Sequence, residues 1–163
     1  MAKTQNQNIK SLAAGWSYLV IRLTLASVFF YAGASKLFDT QGFATVISGY
    51  GLLPDSLTSF AAIGLPVAEI LIAAALVWDV KGSLSIYLLL LIVFMGVLAH
   101  GINMGLDVDC GCFAPGDPEA EAYHSLREAF FRDLVLLAGC VSLYWLRAAN
   151  NYSPRSFFAI FSK

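Results

Sequence analysis

Cys110 and Cys112, two of the three cysteines in this chain of 163 residues, stand on either side of Gly111 in an acidic stretch running from Gly105 to Pro115. A thiolate is the nucleophile of sulfur chemistry, and two thiols this close can carry electrons by closing and opening a disulfide. Such a bridge wants its Cα atoms about 5.5–6 Å apart, which across one intervening residue demands a sharp bend. Gly111 supplies the backbone freedom for that bend. The small ring is strained, and strained, exposed disulfides are the labile and catalytic ones. Asp107, Asp109 and Asp117 flank the pair and disfavour thiolate by like-charge repulsion unless a Lys or Arg approaches.

Spacing alone leaves other roles open for the pair. It can be a static staple, or half of a metal site completed by His124 and an aspartate. Structural zinc sites separate paired cysteines by about two to four residues and need four ligands, so no metal is expected. Cys140 lies in the middle of an apolar run and reads as an inert, small core residue. His100, at the end of another apolar run, reads as an interfacial hydrogen-bonding group, with proton transfer as its alternative.

The elements that must position these groups are set by composition. The chain is 58% hydrophobic and 13% charged, against about 25% charged in an ordinary soluble domain. Its solvent is mostly lipid, and its length fits one domain, 1–163. No basic stripe with interleaved aromatics marks a nucleic-acid partner. Apolar runs over about 16–37, 57–78, 84–99 and 129–146 predict membrane-spanning helices, since about 20 residues cross the hydrocarbon layer. The expected fold is all-α, an integral membrane four-helix bundle. Residues 38–56, with Asp39, Gly42, Gly49, Gly51 and Pro54, read as a loop, and 79–82 as a tight turn. The outward cysteine loop covers 101–127, with a short interfacial helix expected over 119–128. Phe157, Phe158, Ile160 and Phe161 suit an interfacial tail. A signal peptide competes for the first run, because Ala32-Gly33-Ala34 resembles a cleavage site, but the run is long for one and an uncleaved helix is preferred.

Charge asymmetry predicts orientation. The two ends and the 79–82 turn hold Lys3, Lys10, Lys81, Arg147, Arg155 and Lys163 against Asp79, whereas the other two connections hold nearly all the remaining acids. The positive-inside bias then puts both termini in the cytoplasm and the cysteines on the outer face, which in a bacterium is an oxidising compartment.

Arg22, Glu69, Arg132 and Asp133 fall within or at the ends of apolar runs. A charge in hydrocarbon costs about 2.5–3.5 kcal/mol even on insertion scales, so each should face the bundle and find a partner. Counting depth from Trp16 and Trp78 puts Arg22 and Glu69 at levels differing by roughly 5 Å, and an Arg22–Glu69 intramembrane pair is predicted. Lys36, Asp39, Arg132 and Asp133 gather at the helix ends adjoining the cysteine loop, where Arg132 or Lys36 can stabilise a thiolate.

With these residues assembled, the chain resembles the DoxX-like superfamily, and within it the MauE-like branch named for methylamine utilisation. The features that carry the resemblance are Arg22 with Phe29 and Phe30, Gly33-x-x-Lys36-Leu37, Tyr50-x-Leu52-Leu53-Pro54, Pro66-x-x-Glu69, Cys110-Gly111-Cys112-Phe113 and Arg132-Asp133. The family often has glycine where Ala114 stands. The resemblance implies a four-helix protein of the bacterial inner membrane with a part in redox maturation outside the cytoplasm. MauE-type proteins are needed to obtain the disulfide-rich small subunit of methylamine dehydrogenase, and other DoxX relatives are linked to quinone reduction. Cys110, Cys112, Arg132 and Asp133 carry over by motif position.

The expected function is that of a membrane thiol–disulfide oxidoreductase, or a relay in one. Cys110 and Cys112 would exchange disulfides with an exported protein, with Arg132 and Asp133 assisting. A quinone would lodge between the helices near Lys36 and Arg132. The alternatives are a non-enzymatic assembly factor whose outer loop docks an exported redox partner, and a small-molecule permease that uses Arg22 and Glu69.

Overall fold

A computed structural model describes residues 2–105, 126–150 and 154. Its elements, in chain order, are the helices α1 (Ala2–Phe38), α2 (Thr40–Gly49), α3 (Asp55–Val77), α4 (Ser83–Met104) and α5 (Leu126–Asn150). Four of them hold segments long and apolar enough to cross a membrane: Ala14–Phe38, Ser56–Val77, Ser83–Met104 and Leu126–Asn150. The all-α bundle expected from composition is what the chain builds. The helices run past the apolar cores that mark them in sequence, α1 beginning at Ala2 and α5 continuing to Asn150. Cys110, Cys112, His124, the expected interfacial helix before Leu126 and the aromatic tail lie outside the described residues.

The segment read as a loop after α1 is a correction. It contains α2, a helix of 10 residues. Asp39 caps it, its carboxylate accepting from the Gly42 amide at 2.9 Å. Phe43, Val46, Ile47 and Tyr50 recur at helical spacing and turn one face inward, with Phe43 and Tyr50 buried. The glycines and Pro54 masked this pattern. Gly42 belongs to the cap itself, since a Cβ there would lie 2.2 Å from the Asp39 carboxylate.

The bundle is held by a core of Leu25, Ala26, Phe29, Leu76, Leu84, Tyr87, Leu91, Leu136, Cys140 and Leu143, among others. Phe29 stacks on Tyr87 with ring centroids 3.8 Å apart, and the Tyr87 hydroxyl donates to the Leu25 carbonyl at 3.3 Å. Large side chains such as Phe30, Phe60, Leu89 and Val135 point outward, as expected of helices whose outer surface meets acyl chains. The exposed Trp16, Trp78 and Trp145 gather at one end of the bundle, in the manner of an interfacial aromatic belt.

The register of α1 against α3 is set at Gly33. A Cβ at that position would meet the Pro66 carbonyl oxygen at 2.8 Å and Ile70 Cγ1 at 2.9 Å, so the two helices approach closely only because none is present. At the far end, α3 and α4 are joined by a turn in which Asp79 (φ 55°) and Gly82 (φ 92°) adopt the left-handed conformation. At the opposite end, Tyr50 lies against Gly101 of α4, where a Cβ would come within 2.6 Å of the Tyr50 ring. Tyr50, Leu98, Leu126 and Ala129 form a second small core there. The end of α4 at Met104 and the start of α5 at Leu126 both fall at this end of the bundle.

Candidate functional site

Beneath the Tyr50 cluster lies a cavity of about 710 Å³, walled by all five helices. Its lining is mostly apolar and aromatic, with Phe29, Phe43, Tyr50, Phe94 and Leu98 among the walls. Four charged side chains open onto it: Lys36 from α1, Glu69 from α3, and Arg132 and Asp133 from α5.

Lys36 and Glu69 are 6% and 1% exposed. The Lys36 ammonium donates to Glu69 Oε1 at 2.5 Å. It also lies 4.8 Å from the Phe94 ring centroid and 5.3 Å from that of Phe43, so two aromatic faces share its charge. Burial of this order is tolerable only because each charge meets its counter-charge. Close approach at Gly33 is what brings the two together. Lys36 follows Gly33 by three residues, one turn toward the loop end, and the Gly33 Cα faces Pro66, Glu69 and Ile70.

Arg132 and Asp133 are neighbours on α5 and pair directly. Arg132 Nη2 and Nε reach Asp133 Oδ1 at 3.2 and 3.3 Å. Asp133 is buried, whereas the Arg132 side chain is 36% exposed. The guanidinium thus sits at the edge of the cavity and its carboxylate partner in the wall.

The predicted Arg22–Glu69 pair is not the one that forms. Arg22 Nη1 meets Asp79 Oδ2 at 3.0 Å, and Glu69 meets Lys36. The physical reason is register. Depth counted from Trp16 and Trp78 sets α1 too high against α3, whereas the Gly33–Pro66 contact slides Arg22 down to the α3–α4 turn. Lys36 turns its ammonium into the bundle onto Glu69, and the loop cysteines it was expected to assist lie outside the described residues.

Asp79 is the hub of a second cluster. Arg147 Nη2 donates to its Oδ1 at 2.6 Å and the Tyr18 hydroxyl donates to the same oxygen at 2.8 Å. Arg147 Nε in turn donates to the Tyr18 oxygen at 2.9 Å. These contacts tie α1, the α3–α4 turn and α5 into a clasp that does not border the cavity. Tyr18 and Arg22 fall one helical turn apart on α1, a signal visible in sequence once Asp79 is allowed as the partner. Cys140 is a fully buried free thiol in the core, and His100 is exposed near the end of α4. Among the described residues no group of His, Cys, Asp and Glu is arranged to hold a metal ion.

Residues 14–146, from the start of the first span to near the end of the last, match the family described as methylamine utilisation protein MauE. The methylamine utilization protein MauE of Paracoccus denitrificans is 36% identical over 100 residues, which is 59% of this chain and 53% of its own. That of Paracoccus versutus is 32% identical over 99 residues, with the same coverage of 59% and 53%. The chain thus spans about half the length of the curated relatives it matches. No solved structure matches it.

Proposed function

The chain belongs to the MauE family of methylamine utilisation proteins, and on that premise we propose that it is a membrane-embedded redox protein exchanging thiols and disulfides through Cys110 and Cys112. In this reading both termini are cytoplasmic, the protein resides in the bacterial inner membrane, and the loop cysteines face outward. Their substrate is an exported, disulfide-bearing protein of the methylamine-dehydrogenase type. Electrons pass between the cysteine pair and a quinone held in the cavity, with Arg132 at its edge and Lys36 inside.

One observation carries this reading. Two ion pairs, Lys36–Glu69 and Arg132–Asp133, converge on one largely apolar cavity, at the end of the bundle where α4 stops and α5 starts, the two helices between which Cys110 and Cys112 fall in sequence. Ionisable groups kept inside a membrane bundle are costly and mark sites of function. A chamber with apolar walls and a few convergent polar groups is the usual form of a cofactor site. Arg22 and Glu69 lie in separate ion pairs, an arrangement that supports the redox reading over a permease that uses the two together.

The test is the thiol state of the loop pair in cells. Alkylation with a mass tag should show Cys110 and Cys112 cycling between reduced and oxidised forms, and Cys110→Ser or Cys112→Ser should trap a mixed disulfide with an exported protein. Full function of both serine variants, with the pair unchanged in redox state throughout growth, would replace the relay with a docking factor for an exported partner.

A further inference from the structure

We propose that Lys36 is the group that protonates a neutral two-electron carrier as it is reduced in the cavity, and that Glu69 returns the proton to it. The proposal rests on the redox reading above and assigns its proton path.

The charge balance of the chamber defines what enters it. Lys36 and Arg132 are offset by Glu69 and Asp133, so the lining is neutral overall, and the remaining wall is apolar or aromatic. A charged solute would enter uncompensated, at the desolvation cost that such an environment imposes. A neutral ring with carbonyl oxygens and an apolar tail meets hydrogen-bond donors at two points and hydrocarbon elsewhere. That is the chemistry of a quinone.

The two donors are not equivalent. A guanidinium does not give up its proton in a protein, so Arg132 can hold a carbonyl oxygen but cannot supply it with hydrogen. A buried lysine can lose its proton. Lys36 lies inside the chamber against the Phe43 and Phe94 rings with Glu69 at 2.5 Å, so a carboxylate stands ready to receive a proton and pass it on. The lining contributes Tyr31 with Lys36 from α1, Glu69 from α3 and Arg132 with Asp133 from α5. It has only Tyr50 as a titratable group at the end of α2, and none from α4.

The step balances. Cys110 and Cys112 lose two protons and two electrons as their S–S bond forms, and the two carbonyl groups of the quinone become hydroxyls. The Lys36 ammonium gives one proton to the nearer oxygen and recovers it from a thiol by way of Glu69. The second thiol proton goes to the other oxygen. Lys36 and Glu69 finish in the charge states in which they began.

The experiment uses the full chain in lipid nanodiscs, a short-chain ubiquinone as carrier and dithiothreitol as thiol donor, with the Cys110→Ser variant as background. Quinone affinity and the rate of quinone reduction are measured separately across pH. Lys36→Arg keeps the cation and removes the acid. Lys36→Met with Glu69→Gln removes the pair together and guards against misfolding, since replacing both partners of a buried pair is often neutral for stability. Lys36→Arg should bind quinone about as the wild type does and the double variant more weakly, through Arg132 alone; once quinone is bound, both should reduce it about 100-fold more slowly, as befits loss of a general acid, and lose the pH dependence of the wild type. Reduction at the wild-type rate in either variant, with quinone bound, overturns the assignment to Lys36 and leaves the cavity as a quinone site. Failure of the wild type to bind quinone overturns the assignment and the quinone reading together.

Discussion

Glu69→Gln separates the ionic from the packing contribution of the central pair, because it keeps the shape of the side chain and removes its charge. Lys36 is 6% exposed and Glu69 1%, so the variant leaves an ammonium inside the bundle without its counter-charge. Breaking a buried pair from one side costs about 3–5 kcal/mol. The two aromatic rings beside Lys36 return only about 0.5–2 kcal/mol of that as cation–π attraction, and they act in the wild type as well. Lys36→Met should cost a similar amount by stranding the carboxylate. The double variant should lie close to the wild type or above it, since neither partner is left charged. Reversible unfolding in mixed micelles, with a rising fraction of denaturing detergent and tryptophan fluorescence as the signal, measures all of these. If both single variants fall within about 0.5 kcal/mol of the wild type, as exposed substitutions do, the pair is not clamping α1 to α3 and the reasoning fails.

Other predictions address register, the clasp and orientation. Gly33→Ala should destabilise by about 1–3 kcal/mol through overpacking, because its Cβ meets the Pro66 carbonyl at 2.8 Å, whereas Gly64→Ala, with nothing within 4 Å, should be neutral or stabilising in the same unfolding assay. Asp79→Asn should cost about 2–3 kcal/mol, the value of lost charged hydrogen bonds, while tolerating the left-handed backbone at φ 55°. Asp79→Gly relaxes that backbone further, so equal losses in the two variants would identify the carboxylate, and not the turn, as the cause. A cysteine placed at Lys81 should resist a membrane-impermeant thiol reagent in intact spheroplasts. Labelling there would invert the proposed orientation.

The four spans were legible because lipid as solvent imposes a long apolar run on every crossing helix, and nothing else in the chain imitates one. The helix α2 was also legible in principle, from Asp39 as a cap and from the spacing of Phe43, Val46, Ile47 and Tyr50. It was obscured by glycines, of which Gly42 serves the cap by its small size. Which charges would pair was not legible. Pairing depends on the axial offset between α1 and α3, and one helical turn of offset shifts a side chain by about 5.4 Å. That offset is decided by the steric contact of Gly33 with Pro66 and Ile70, which only three-dimensional packing reveals. Depth counted from the tryptophans therefore paired Arg22 with Glu69 and missed both true partners.

The same offset explains why motifs that are individually weak are specific in combination. Gly33-x-x-Lys36 and Pro66-x-x-Glu69 are far apart in the chain, yet they are the two sides of one contact. Gly33 lets Pro66 approach, and the approach brings Lys36 within hydrogen-bonding distance of Glu69. Tyr50 and the Arg132-Asp133 pair border the same cavity. A clasp such as Tyr18–Arg22–Asp79–Arg147 fastens three elements and contributes nothing to the lining of the cavity, so holding the bundle together is a sufficient account of it. The Lys36–Glu69 pair joins two helices that Gly33 already holds together, and apolar residues of the same volume would serve stability as well. A charged pair in that place, opening onto the cavity, is what the proposed quinone site requires and what stability alone does not.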